Sequence, residues 1–241
     1  MRARLALCLL CLLVAAPPAR AACRLALALA MDVSRSVDAR DFAIQTGGLA
    51  DALARPDIAR AFFAPAGDVA LAVYEWSGET HQQVLIDWVV IARPEDLAPV
   101  IATLRGLRPP AEKLSTALGR GLAFGRDLLV RAPPCDRQVI DVSGDGRNNA
   151  GPTPERIYAQ GGWEGITVNG LAIGSHELQL TEYYHASVIR GPGAFVELAL
   201  RQSDYPEAIR KKLMRELTEA VSVLDCRRGL EFPTEACRIF R

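Results

Sequence analysis

The stretch RLALALAMDVSRS, residues 24–36, decides the fold. Its first eight residues, Arg24–Met31, form a nearly continuous apolar run, as a strand covered on both faces requires. The run stops on a carboxylate and continues as Asp32-Val33-Ser34-Arg35-Ser36, in which oxygen-bearing side chains alternate. From about Asp38 to Ala54 the chain then places Phe42, Leu49 and Leu53 on one helical face, with acids in the first turn. A buried strand, a polar turn and an amphipathic helix in that order open a βα unit.

The pattern continues downstream. Val69–Trp76 (VALAVYEW) and Gln83–Ile91 (QVLIDWVVI) read as two strands joined through the Ser77-Gly78 turn, a spacing that suits an antiparallel hairpin. Pro94 opens a helix to about Leu104, and a further helix carries Leu118, Leu122 and Leu129. Gln138–Val142 is a strand, Pro154–Gln160 a short helix, Ile166–Ile173 a strand, and Phe195–Leu200 the last strand. Tyr205–Val221 has Ile209, Leu213 and Leu217 at helical spacing. The expected architecture is α/β and doubly wound: a mostly parallel six-stranded sheet, one antiparallel edge strand, and helices on both faces. Such sheets bind ligands beyond the carboxyl ends of their strands, at the topological switch point.

Three segments bring oxygen ligands to that place. They are Asp32-Val33-Ser34-Arg35-Ser36 after the first strand, Ser115-Thr116-Ala117-Leu118-Gly119 at a helix entry, and Ser143-Gly144-Asp145-Gly146 after the Gln138–Val142 strand. A hard cation such as Mg²⁺ takes oxygen ligands and keeps several waters. Asp32, Ser34 and Ser36 turn three oxygens toward one point; the Thr116 hydroxyl and the Asp145 carboxylate close the protein side. Only two formal negative charges face the ion, so it retains an appetite for an acidic oxygen from a partner. Read singly, Ser34 and Ser36 serve equally well as caps of the next helix, and Asp145-Gly146 as a turn.

Asp-x-Ser-x-Ser, a Thr ahead of Gly-x-x-Leu, and Asp-Gly after a later strand together resemble the metal-ion-dependent adhesion site of von Willebrand A domains. The resemblance spans roughly residues 23–222 and implies that Asp32, Ser34, Ser36, Thr116 and Asp145 are the ligand positions, some of them binding through water. It also implies a Mg²⁺ cofactor, with Mn²⁺ or Ca²⁺ as alternatives, and a protein partner whose exposed Asp or Glu completes the site. Gly144 departs from the Thr that many such domains carry before Asp-Gly. Glu75-Trp76-Ser77-Gly78, Val142-Ser143-Gly144-Asp145-Gly146, Tyr183-Tyr184, Gly191-Pro192-Gly193-Ala194-Phe195-Val196 and the helix with Ala208–Leu213 resemble an uncharacterised family of exported bacterial proteins of this fold, a domain of unknown function.

Residues 1–21 combine Arg2 and Arg4, an apolar run from Leu5 to Ala16 and a small-residue exit, the pattern of a secretory signal peptide. The run is too short to span a bilayer, which takes roughly 20 apolar residues. Cys23 after Ala21-Ala22 admits a lipoprotein signal, against which stands Arg20. The expected division is a signal at 1–21, a von Willebrand A-like domain at 22–225 and a disulfide-closed tail at 226–241. Removing the signal takes away three arginines and no acid, leaving 25 basic against 28 acidic residues. With no basic stripe, nucleic acid is not an expected partner, and no second apolar segment is long enough for a membrane span. The expected location is periplasmic or secreted.

Four cysteines remain in the mature chain: Cys23, Cys135, Cys226 and Cys237. An even count in an exported protein points to two disulfides among three possible pairings. Cys23 and Cys135 each stand just ahead of a strand, about equally far upstream of Asp32 and Asp145. Parallel neighbouring strands would bring their sulfurs together, which favours Cys23–Cys135 and, by remainder, Cys226–Cys237.

The competing class is a metal-assisted hydrolase, and a third possibility is a structural domain whose metal site is empty. The sequence has no Gly-x-Ser-x-Gly elbow and no His-Glu-x-x-His. His81, His176 and His185 are scattered, although a Ser–His pair with Ser34 or Ser36 stays open at this level. The reading is a non-enzymatic binding module.

Overall fold

The structure is a computed structural model that describes residues 23–63, 67–111, 114–174 and 178–228. Six strands form one sheet: β1 (Cys23–Asp32), β2 (Asp68–Trp76), β3 (Gln82–Ile91), β4 (Gln138–Gly144), β5 (Ile166–Ile173) and β6 (Val196–Ala199). Their spatial order is β3-β2-β1-β4-β5-β6. All neighbours run parallel except β2 and β3, which form the antiparallel edge pair. The sheet is the one expected from the sequence.

The leucine–alanine alternation of β1 explains how its two faces are filled. Leu25, Leu27, Leu29 and Met31 join a core with residues of α1 (Ala39–Leu53), α2 (Pro56–Phe62), α3 (Pro94–Gly106) and α7 (Tyr205–Arg228). Ala26, Ala28 and Ala30 face the other way, toward α4 (Leu118–Val130), α5 (Pro154–Tyr158) and α6 (Leu178–Tyr183). The small side chains on that face leave volume that Tyr74, Trp76 and Tyr184 occupy, all three fully buried. Trp76 is pressed by α4 at Gly121, where a Cβ would meet the indole at 2.7 Å. These aromatic residues are therefore core.

Sequence periodicity located the longer helices within a few residues. It missed α2, a seven-residue helix opened by Pro56, and α6. The last helix continues to Arg228, seven residues past the Val221 end expected from the sequence. Cys23 and Cys135 form the expected disulfide, with Cα atoms 4.5 Å apart at the amino ends of the β1 and β4 segments. The signal segment and the Cys226–Cys237 pairing lie outside the described residues. No helix among the described residues is long and apolar enough to cross a membrane.

Candidate metal centre

β1 lies between β2 and β4, and the chain leaves it toward opposite sides of the sheet, so the switch point falls at the carboxyl ends of β1 and β4. Asp32 is the last residue of β1, and Asp145 directly follows Gly144, the last of β4. The Ser34 N–H donates to Asp32 Oδ1 at 2.8 Å, folding the turn back on its own carboxylate. The Ser34 and Ser36 hydroxyls are 3.3 Å apart, and Ser36 Oγ donates to Asp145 Oδ1 at 2.5 Å across 109 residues of sequence. Neither serine caps the following helix. That role falls to Asp38, whose carboxylate accepts from the Arg40 and Asp41 N–H groups at 2.8 Å.

Thr116 reaches the same place through its loop. A Cβ on Gly146 would lie 3.7 Å from Thr116 Oγ1, so the hydroxyl stands against the residue following Asp145. The loop is tied down on both sides. Arg35 N–H donates to the Leu114 carbonyl at 2.8 Å, and Ala117 N–H to the Ser77 carbonyl at 2.7 Å. The structure thus brings Asp32, Ser34, Ser36, Thr116 and Asp145 to one end of the sheet. Asp32, Ser34 and Thr116 are buried, Asp145 is half-buried and Ser36 is exposed, which leaves one side of the cluster open to solvent.

Sequence reasoning missed two asparagines that shape this site. Asn149 grips Thr116 at three points. Its N–H donates to the Thr116 carbonyl at 2.9 Å, its Oδ1 accepts from the Thr116 N–H at 2.9 Å, and its Nδ2 donates to Thr116 Oγ1 at 3.4 Å. Asn148 Oδ1 accepts from the Gly119 N–H at 3.0 Å and so caps α4, whose own Ncap residue, Ala117, has no side chain for the purpose. The signal lay in Gly146-Arg147-Asn148-Asn149, immediately after the carboxylate already singled out.

The electrostatics fit a cation. Burial, and then the charge of Asp145, push the Asp32 carboxyl up to about 7, against hydrogen bonds from Ser34 and the Asp145 backbone that favour the ionised form. Asp32 Oδ2 is buried without a hydrogen-bond partner. Two carboxylates and three hydroxyls make an all-oxygen donor set, which suits a hard divalent ion more than a soft one. Among the described residues no group of three or more His, Cys, Asp or Glu is placed to hold a metal. Any ion here therefore depends on the hydroxyl groups.

Residues 22–221 match DUF1194, a family of proteins of unknown function. The chain belongs to that family. No curated protein matches it. Solved structures similar to it are von Willebrand A-type domains at low identity. Proximal thread matrix protein 1 from the mussel byssus, "with zinc occupied MIDAS motif", is 16% identical with a TM-score of 0.60, over 82% of this chain and 46% of that one. A von Willebrand factor type A protein from Catenulispora acidiphila is 16% identical with a TM-score of 0.57, over 80% and 42%. An aerotolerance-related membrane protein from Bacteroides fragilis is 14% identical with a TM-score of 0.58, over 81% of this chain and 99% of that one. The chain spans less than half the length of the first two.

Proposed function

We propose that the protein is an exported binding module whose divalent cation recognises an acidic side chain of a protein partner. The observation that carries this reading is the meeting of oxygen donors from three separate segments at the switch point, tied by the Ser36–Asp145 hydrogen bond. Asp32, Ser34, Ser36, Thr116 and Asp145 would hold the ion, Mg²⁺ first and Mn²⁺ or Ca²⁺ as alternatives. When bound, the ion supplies a Lewis-acidic position for a carboxylate oxygen of the partner.

The chain's own residues do the rest. Ser34 orients Asp32, Asn149 orients Thr116, and Ser36 together with Asp145 forms the solvent-facing side where a partner's Asp or Glu arrives. The zinc-occupied motif of the mussel protein supports metal binding on this fold. The reading includes a periplasmic or secreted location and assigns no catalytic residue. His81 is engaged with Glu75 at 2.8 Å, and His185 is exposed on the turn after α6.

Calorimetric titration of the mature protein with Mg²⁺, Mn²⁺ and Ca²⁺, beside Asp32→Ala, tests the reading. Binding by the wild type that disappears in the variant is expected, followed by metal-dependent capture of a partner that loses affinity when its acid is neutralised. Equal behaviour of the two proteins would sink it, and hydrolysis of phosphate or carboxyl esters with metal present would replace it with the hydrolase.

A further inference from the structure

The metal reading uses Asp145 but gives no task to Arg147, which stands two positions further along the same loop and is exposed. An exposed arginine is ordinarily mobile, yet this one is held in place from two sides. Its Nη2 donates to the Gln179 carbonyl of α6 at 3.0 Å, with Gln179 Oε1 at 3.4 Å. Its guanidinium carbon lies 5.5 Å from the centre of the Tyr183 ring, within range of a cation–π contact. Tyr183 is fixed in turn. Its hydroxyl accepts from the Asn148 N–H at 3.4 Å, and Asn148 caps α4.

All of these partners are neutral. Arg55, Arg105 and Arg210 reach carboxylates at 3.1, 2.8 and 2.7 Å, whereas Arg147 meets no acid among the described residues. Both of its hydrogen bonds leave from Nη2, so Nε and Nη1 have donors to spare. A planar guanidinium in that condition is suited to a carboxylate. Charge points the same way. Asp32 and Asp145 together offset a divalent ion, and Arg147 adds a positive charge that the ligand set does not offset. Its contacts lie on α6, to the side of the ligand cluster, which places it for a second carboxylate rather than for the one on the ion.

We propose that Arg147 is a specificity residue of the site and that the partner presents two neighbouring acidic side chains, one to the ion and one to Arg147. This deepens the metal-dependent reading and rests on it. Gln179 and Tyr183 set the guanidinium before the partner arrives, which lowers the ordering cost of the contact. The surface recognised is then an acidic pair, and a lone Asp or Glu satisfies only half of the site.

Blocked glycine-rich peptides carrying one glutamate, or two separated by zero to three glycines, test this on the mature Mg²⁺-loaded protein by NMR shift titration. At least one two-glutamate peptide should bind the wild type about fivefold more tightly than the single-glutamate peptide, as an ion pair between exposed groups allows. Arg147→Gln should abolish that advantage and Arg147→Lys should restore part of it. The single-glutamate peptide should bind all three proteins alike. Arg131→Gln, which removes the same charge at the far end of α4, should keep the wild-type preference. Calorimetry should give the same Mg²⁺ affinity throughout. A purely structural Arg147 would lower the melting temperature on replacement and leave the peptide preference standing. That result overturns the proposal, as does a wild type that binds both kinds of peptide equally or binds neither. A wild type that takes up no Mg²⁺ fails the metal reading by itself. A two-glutamate preference that still disappears in Arg147→Gln then keeps Arg147 as an acid-binding residue, and its absence removes both.

Discussion

At the scale of single residues, the candidate metal centre is shaped by side chains outside the proposed ligand set. Asn149 holds Thr116 by backbone and side chain together, so the hydroxyl has little freedom once the loop is closed. Asn149→Ala should weaken Mg²⁺ binding by about tenfold or more, in the range seen when the support of a ligand is removed. Circular dichroism should show an unchanged fold, because Asn149 is exposed and its loss opens no core cavity. Asn148→Ala belongs to a different class. It strips α4 of its cap and should cost about 1 kcal/mol in urea unfolding. The five ligand candidates could be picked out in the sequence because each stands beside an element that periodicity could locate: Asp32, Ser34, Ser36 and Asp145 after strands, Thr116 ahead of a helix. The asparagines were not, since their work is done on backbone groups about thirty residues away that no local pattern indicates.

The last helix shows what an element can hide. On α7, Lys212 is completely buried, with its Nζ 2.9 Å from Asp141 Oδ1 of β4 and 2.7 Å from Glu216 Oε1. Asn169 of β5 donates to Glu216 at 3.0 Å and accepts from the Phe195 N–H at 3.1 Å. Burial, and then Glu216, raise Asp141 above its ordinary value, with Lys212 opposing. Burial alone would lower Lys212, but the two carboxylates outweigh it and raise the ammonium. A raised carboxyl means that the folded chain keeps its proton longer than the unfolded one. The stabilisation is complete below the unfolded value of 3.8 and is lost as pH rises through the raised folded value. Urea unfolding followed from pH 4 to 8 should show this decline, and Asp141→Asn should make it shallower, the raised Asp32 carboxyl keeping its own share. Lys212→Met leaves two carboxylates buried without their cation and should cost about 3–5 kcal/mol, more at pH 8 than at pH 5. Helical spacing revealed Ile209, Leu213 and Leu217, but it could not show that Lys212 points inward. The pairing joins residues that are remote in sequence. For the same reason the π-helical turn Tyr184–Val188 was illegible, because the slot for Tyr184 is cut by glycines on two different strands.

The whole molecule was the most legible level. Near-continuous apolar strands alternating with amphipathic helices leave few packings other than a sheet covered on both sides, and the turn after Trp76 was short enough to mark the antiparallel pair. The disulfide was legible too, since parallel neighbours place equally offset cysteines side by side. It closes a span of 112 residues, and in the loop-entropy account such a cross-link contributes about 5 kcal/mol. Replacing both Cys23 and Cys135 with serine should lower the urea midpoint accordingly. Mg²⁺ affinity should be retained, because the bridge lies at the opposite end of β1 and β4 from the carboxylates.

The strand order has a consequence in time. β1 emerges first during synthesis yet occupies the interior of the sheet, and one of its flanks stays bare until β4 follows more than a hundred residues later. The thiol of Cys23 must wait through that interval for its mate. Closure of the cystine therefore dates the moment at which the two halves of the sheet have met, and a chain halted before residue 135 carries Cys23 without its partner.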